Sequence, residues 1–301
     1  MPFLKVIVLA IVQGLAELLP VSSSTHVVVA EKLMGLDPSA PAMTLLLVML
    51  HTGTMFAVIA YFWSRWRATY FSSWAQFKRT VWLVGLATVL TGIIGYGLKH
   101  VIEKTILGGL PDAQIEDLFS HLEFIAPALA VAGILILVAG LRERRMQGGP
   151  EASTSAGAGP GDGTGSALLD TRAAGIIGAV QGLCLPFRGF SRSGATISTG
   201  MLLDVPKSVV EDFSFALAVV LTPPVVAREA LRLIHAEQDG AAGTLGNAAF
   251  ASLAGAVLAF LAGLVALRWL SRWLEGGRWY LFGVYCLVAS MAVGGLYLAG
   301  F

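Results

Sequence analysis

Two polar stretches interrupt an otherwise apolar chain. Residues 187–198, FRGFSRSGATIS, set Arg188 and Arg192 among Ser191, Ser193 and Thr196, between the apolar flanks AAGIIGAVQGLCLP and TGMLLDV. An arginine at the centre of a membrane helix costs about 2.5–3.5 kcal/mol on insertion scales, so two so close together require compensation. A guanidinium fork, several hydroxyls and the free N–H groups of a helix start make an anion site, and phosphate suits it best. The alternative for Arg192 is a pair with a structural carboxylate. For Arg188 it is snorkelling to an interface or a similar pair. Residues 13–26, QGLAELLPVSSSTH, supply complementary groups. Gln13 and Glu17 are four apart and share a helix face. Ser22, Ser23, Ser24 and Thr25 follow Pro20, and His26 follows them. An acid, hydroxyls and an imidazole can activate a nucleophile or help hold a hard divalent cation through oxygen ligands. A lone intramembrane histidine is otherwise hydrogen-bonded structure. Glu31, beside Lys32, reads as interfacial.

Such groups need elements that tolerate them. Of 301 residues, 56% are hydrophobic and 13% charged, about half the usual ~25% charged share. Mean hydropathy is +0.75. Six apolar runs, roughly 42–63, 81–98, 124–141, 213–232, 248–267 and 279–300, approach the ~20 residues that cross a bilayer as a helix. They are continuous rather than alternating, which argues against a β-barrel. The stretches 3–34 and 173–203 are also apolar, but the polar segments above break each near its middle. Their halves, about 10–15 residues each, are too short to cross alone. The expectation is an all-α integral membrane protein with six transmembrane helices and two re-entrant broken hairpins. The irregular backbone of each elbow is tolerated where protein or a wet cavity surrounds it.

Orientation follows from the short loops. Arg65, Arg67, Lys78 and Arg79 lie in 64–80, Arg142, Arg144 and Arg145 in 142–172, and Arg268, Arg272 and Arg278 in 268–278. These loops share one side if the spans alternate, and the positive-inside rule makes that side cytoplasmic. Trp63, Trp66, Trp74, Trp82, Trp269, Trp273 and Trp279 cluster at the same ends, as an interfacial belt would. Loops 99–122 and 233–247, of mixed charge, then face outward. "AIVQGL" at 10–15 recurs as "GAVQGL" at 178–183, each followed by a Pro, a hydroxyl-rich elbow and three spans. An odd number of spans turns the second half over. The reading is an inverted-topology repeat, 1–146 and 168–301, joined by a flexible cytoplasmic linker, QGGPEASTSAGAGPGDGTGSA at 147–167. Such repeats place their sites near the midplane, where broken helices meet. The net charge of +1 gives no reason to expect a nucleic-acid partner. Cys184 and Cys286 read as buried free thiols rather than a disulfide framework or metal cluster. The N-terminus superficially resembles a signal peptide. Glu17 inside it and the lack of a small-x-small site predict that it is retained.

VQGLAELLPVSSSTH and RGFSRSGATISTGML resemble the two signature regions of the undecaprenyl-diphosphate phosphatase, or bacitracin-resistance, family. The first resembles its (E/Q)xxxE element, here Gln13 to Glu17, with a PVSS…H run. The second resembles PGxSRSxxT, here Arg188 to Thr196. The resemblance implies hydrolysis of undecaprenyl diphosphate to undecaprenyl phosphate, which recycles the lipid carrier of peptidoglycan synthesis. It also implies a divalent cation, Mg²⁺ or Ca²⁺, and an active site on the periplasmic side of the bacterial inner membrane. A homodimer is a family-level expectation. By position it assigns Glu17, Ser23, His26 and Arg192 to catalysis and Ser191, Arg192, Ser193 and Thr196 to the phosphates. Three positions need separate notice. Arg188 replaces the motif's Pro and adds a charge, either for a second phosphate or as the mark of a subgroup with a shifted substrate, and Thr25 replaces a Gly. Gln13 is the uncharged choice, so Glu17 is the one carboxylate of the first elbow; these two are the candidate metal ligands. Attack by Ser23 and attack by water both stay open. The alternative class is a polyprenyl-phosphate flippase or anion transporter, since inverted repeats with broken helices also build carriers.

Overall fold

The computed structural model describes residues 2–36, 41–105, 121–147, 169–236 and 245–300, and these residues form helices with no strand among them. The helices are α1 Phe3–Leu18, α2 Ser23–Leu33, α3 Pro41–Thr69, α4 Trp74–Thr105, α5 Leu122–Gln147, α6 Thr171–Cys184, α7 Arg192–Leu202, α8 Lys207–Ala236, α9 Leu245–Glu275 and α10 Trp279–Leu298. Five contain stretches long and apolar enough to cross a bilayer: Met43–Thr69, Trp74–Thr105, Leu122–Met146, Ala249–Glu275 and Trp279–Leu298. The chain is a multi-pass membrane protein. The predicted run 213–232 lies in α8, whose side chains beyond Pro224 are described only in part. All but the first residue of the 147–167 linker lies outside the described residues, as do most of the two outward loops.

Both interrupted stretches break where proline sits. Leu19, ahead of Pro20, is extended at φ −79°, ψ 151°, as the residue before a proline must be to avoid its ring. Ser22 then takes φ 66°, a left-handed conformation rare outside glycine, and α2 starts at the next residue. The second elbow turns at Gly189, φ 101°, where a Cβ would stand 2.5 Å from the Ile125 carbonyl. Ser191 caps α7, its Oγ accepting the Gly194 N–H at 3.2 Å.

The short helices lie alongside long ones. α1 runs beside α9, where a Cβ on Gly14 would meet the Ala259 carbonyl at 2.7 Å. α6 runs beside α4, where a Cβ on Gly182 would meet the Thr91 carbonyl at 2.9 Å. Small residues at such crossings let backbones touch where no hydrophobic force drives helices together. At the open end of the first hairpin, Lys5 Nζ donates to the Met34 carbonyl at 2.6 Å. The second hairpin is tied to the basic ends of its neighbours. Arg79 donates to the Leu169 carbonyl at 3.1 Å, and Arg142 donates to the Leu202 carbonyl at 2.5 Å and to Asp204 at 3.0 Å.

The predicted tryptophan belt needs correction. Trp63, Trp74, Trp82 and Trp269 are exposed, but Trp279 is fully buried and donates to Ser198 Oγ at 2.9 Å, and Trp66 is buried against Phe62. The Trp279 N–H thus fills core volume without leaving a donor unsatisfied, whereas the Trp66 N–H has no hydrogen-bond partner among the described residues. Cys184 and Cys286 are free and buried, as expected.

Candidate active site

The two elbows meet. Ser193 Oγ donates to the Leu19 carbonyl and the Gly189 N–H donates to Ser24 Oγ, both at 3.3 Å. Cys286 Sγ donates to the Pro20 carbonyl at 3.3 Å and pins the first elbow to α10. Between the elbows lies a cavity of about 290 Å³ whose walls include Gln13, Glu17, Ser22, Ser23, Ser24, Glu31, His51, Arg188, Ser191, Arg192 and Ser193. Leu47, Phe187 and Phe190 supply part of its apolar lining. Glu17 sits at its hub. One carboxylate oxygen accepts from an Arg192 terminal nitrogen at 3.0 Å. The other accepts from Ser23 Oγ at 2.5 Å and from the Gln13 amide at 3.2 Å. The carboxylate alternative for Arg192 is thus realised, but the carboxylate belongs to the opposite elbow and shares the same cavity. Four charged side chains of both signs, Glu17, Glu31, Arg188 and Arg192, face this space.

Seven of the nine expected residues line the cavity: Gln13, Glu17, Ser23, Arg188, Ser191, Arg192 and Ser193. Thr196 and His26 do not. The Thr196 hydroxyl lies 2.9 Å from the Arg192 carbonyl and 2.6 Å from Ser214 Oγ, bracing the first turn of α7 against α8. His26 donates from Nδ1 to the Ser22 carbonyl at 2.8 Å, and its Nε2 lies 2.7 Å from the Tyr285 hydroxyl, with the two rings stacked. Both ring nitrogens are therefore engaged, one of them holding the left-handed residue beside Ser23.

Two residues enter the site that spacing did not single out for it. Glu31, expected at an interface, is 1% exposed, and one of its carboxylate oxygens has no hydrogen-bond partner among the described residues. It attracts Arg188 across the cavity. His51, from α3, fixes Nδ1 on the Leu47 carbonyl at 2.8 Å and turns Nε2 toward the Glu17 oxygen that receives Ser23, at 3.8 Å. No local pattern links His51 to Glu17. The available cue was an ionisable residue inside a predicted span, which by itself points to function.

The donor set does not fit a resident divalent cation. Gln13 and Glu17 face each other as donor and acceptor instead of converging on a common point, and both Glu17 oxygens are occupied by protein donors. Among the described residues no group of three His, Cys, Asp or Glu side chains could hold an ion. Calcium needs six to eight oxygens and magnesium a near-octahedral set.

The family model described as bacitracin resistance protein BacA matches residues 6–292. A protein named undecaprenyl-diphosphatase 2 from Acinetobacter baylyi is 54% identical over 296 residues, 97% of each chain. Another of that name, from Burkholderia ambifaria, is 30% identical over 94% of this chain and 92% of its own. A protein named undecaprenyl-diphosphatase from Rhodopirellula baltica is 29% identical over 96% of each chain. With both elbows inside the matched span, the chain belongs to the BacA bacitracin-resistance family.

Proposed function

We propose that this chain is a membrane phosphatase that hydrolyses undecaprenyl diphosphate to undecaprenyl phosphate and inorganic phosphate, returning the lipid carrier to peptidoglycan synthesis. The observation that carries the reading is the contact of Ser23 Oγ with Glu17 at 2.5 Å, beside a guanidinium at 3.0 Å from the same carboxylate. A site that only bound an anion would have no use for a hydroxyl paired to a base.

Arg192 neutralises the terminal phosphate, and Ser191 and Ser193 flank it at the start of α7. Arg188 reaches the second phosphate from the far wall. Ser23 attacks the terminal phosphorus and gives its proton to Glu17 as the bond to the bridging oxygen breaks, so undecaprenyl phosphate leaves. Glu17 passes that proton to His51, whose exposed imidazole hands it to water. A water molecule then attacks the phosphoserine. Glu17 takes the proton from that water and returns one to Ser23 Oγ as phosphate departs. The charges facing the cavity compensate one another; a diphosphate draws Arg192 off Glu17 and frees the carboxylate for its proton-transfer role.

The same reading places the elbows within the membrane, in six spans and two re-entrant hairpins arranged as an inverted repeat, 1–146 against 168–301. It is supported by matched packing, α1 along α9 and α6 along α4 through equivalent glycines, and by α7 returning to the basic end from which α6 starts. The basic ends face the cytoplasm by the positive-inside rule, the cavity opens toward the periplasm, and the membrane is the bacterial inner one.

Phosphate release from a prenyl diphosphate by the purified chain tests the chemistry. Ser23→Ala should lose at least about 10²-fold, the lower end for such proton-transfer catalysis, and acid-quenched wild type should carry phosphate on Ser23. Wild-type turnover in Ser23→Ala would transfer the attack to water.

A further inference from the structure

The end of α9 carries Arg268, Trp269, Arg272 and Trp273. The chain then turns through Gly276 and Gly277, and the Arg278 N–H donates back to the Trp273 carbonyl at 2.9 Å. That turn folds Arg278 against the helix it has just left. Arg268, Arg272 and Arg278 thus line one cleft of about 470 Å³, together with Trp269, Trp273 and Val265. No residue of this cleft belongs to the cavity between the elbows.

The three arginines are exposed, and none makes a hydrogen bond or ion pair through its side chain with any described residue. Several other cations at the same end have found partners. Arg65 pairs with Glu211 and Asp212 at 3.0 Å each, Arg142 with Asp204 at 3.0 Å, and Lys207 with Glu143. Arg144 lies over the Tyr280 ring at 5.2 Å and Lys78 over the Trp74 ring at 5.3 Å. Three like charges gathered in one concavity without a carboxylate repel one another. An anion completes the arrangement, and three planar forks suit a phosphate better than a point charge would.

The surroundings select the kind of phosphate. Trp269 and Trp273 are the residue type that settles at headgroup level. From the cleft, an exposed apolar stripe runs up α9 through Val265, Leu261 and Val257, each four residues from the last and so on one face. A free phosphate would use the arginines alone. A lipid uses the arginines, the indoles and the stripe together.

We propose that this cleft binds the headgroup of an anionic glycerophospholipid from the surrounding leaflet, its phosphate held by Arg268, Arg272 and Arg278 and its acyl chains laid along Val265, Leu261 and Val257. The test uses the full chain purified in a neutral detergent, with phosphatidylglycerol and phosphatidylcholine as probes and native mass spectrometry as the readout. One phosphatidylglycerol should bind with clear preference over phosphatidylcholine. The triple variant Arg268→Gln, Arg272→Gln, Arg278→Gln should weaken that binding on the order of a hundredfold, from the usual contribution of basic residues near an anionic surface. A control removing the same net charge at the same end, Arg67→Gln, Arg145→Gln, Arg172→Gln, should change it little. Equal weakening by both triples would replace the cleft with a general field and overturn the proposal. Displacement of the lipid by millimolar inorganic phosphate would overturn it in favour of a free-anion site. Should the first triple fail to accumulate, Arg272→Gln alone, expected to weaken binding about fivefold, faces Arg145→Gln in the same comparison.

Discussion

At the scale of single residues, the site is organised by what faces one carboxylate. Glu17 holds Ser23, Gln13 and Arg192, with His51 behind. The two imidazoles nearby differ in what they hold. His26 is bonded through both nitrogens, to the strained Ser22 and to Tyr285, whereas His51 presents one nitrogen to the cavity. His51→Gln is therefore expected to lower kcat by about 10²-fold with an unchanged Tm. His26→Gln should lower activity and Tm together, because the turn that aims Ser23 loses its tie. A Tm loss in His51→Gln, or none in His26→Gln, would exchange these roles. Arg188 lines the same cavity, where the Glu31 charge attracts it. If it serves the second phosphate, Arg188→Gln raises KM for a prenyl diphosphate several-fold while inhibition by a prenyl monophosphate changes little. Equal loss for both ligands would remove Arg188 from that subsite.

At the scale of elements, each elbow depends on one backbone conformation that side chains disfavour. Gly189, at φ 101°, has the Ile125 carbonyl where a Cβ would go. Gly189→Ala should destabilise by about 2 kcal/mol or more and lower activity, measured as Tm and phosphate release, since its N–H also ties the elbows through Ser24. A variant with wild-type Tm would mean the elbow can relax. The elbows themselves were legible in the sequence, because Pro20, Pro186 and the hydroxyl runs act through local chemistry: the Pro20 ring excludes Leu19 from helix, Pro186 lacks the N–H that a continuing helix would use, and the Ser191 side chain caps the helix that follows. The start of α7 at Arg192 was legible for the same reason. The left-handed turn at Ser22 was not, since serine does not favour that conformation and the bonds to Thr25 and His26 that hold it exist only once the turn is made. Glu31 was misread for a similar reason. Beside Lys32 it resembles an interfacial pair, and only its place opposite the second elbow makes it part of the cavity wall. His51 reaches Glu17 from another helix, and periodicity along one helix carries no information about its neighbours. Trp279 starts α10 as the exposed Trp74 starts α4, yet Ser198 on α7 draws it inward.

At the scale of the whole molecule, the basic helix ends gather at one end and the hairpins enter from opposite ends. α6 starts where Arg79 holds Leu169, α7 ends where Arg142 holds Leu202, and the two arginines lie at the basic ends of α4 and α5. α1 runs along α9, and α9 ends at Arg268 and Arg272, so α1 must begin at the other end. This arrangement is what brings two short helix pairs tip to tip and lets groups from distant parts of the chain share one cavity. It also makes orientation testable with two positions. Ser72 lies between α3 and α4 at the basic end, and Lys104 lies near the far end of α4; both are exposed. The native thiols are buried and should stay silent. In intact cells, a membrane-impermeant maleimide should label Lys104→Cys and spare Ser72→Cys, which should react only after the membrane is opened. The reverse pattern would put the basic loops outside, against the charge rule. Labelling of both from outside would break the alternation of α3 and α4, and with it the inverted repeat that aims the cavity at the periplasm.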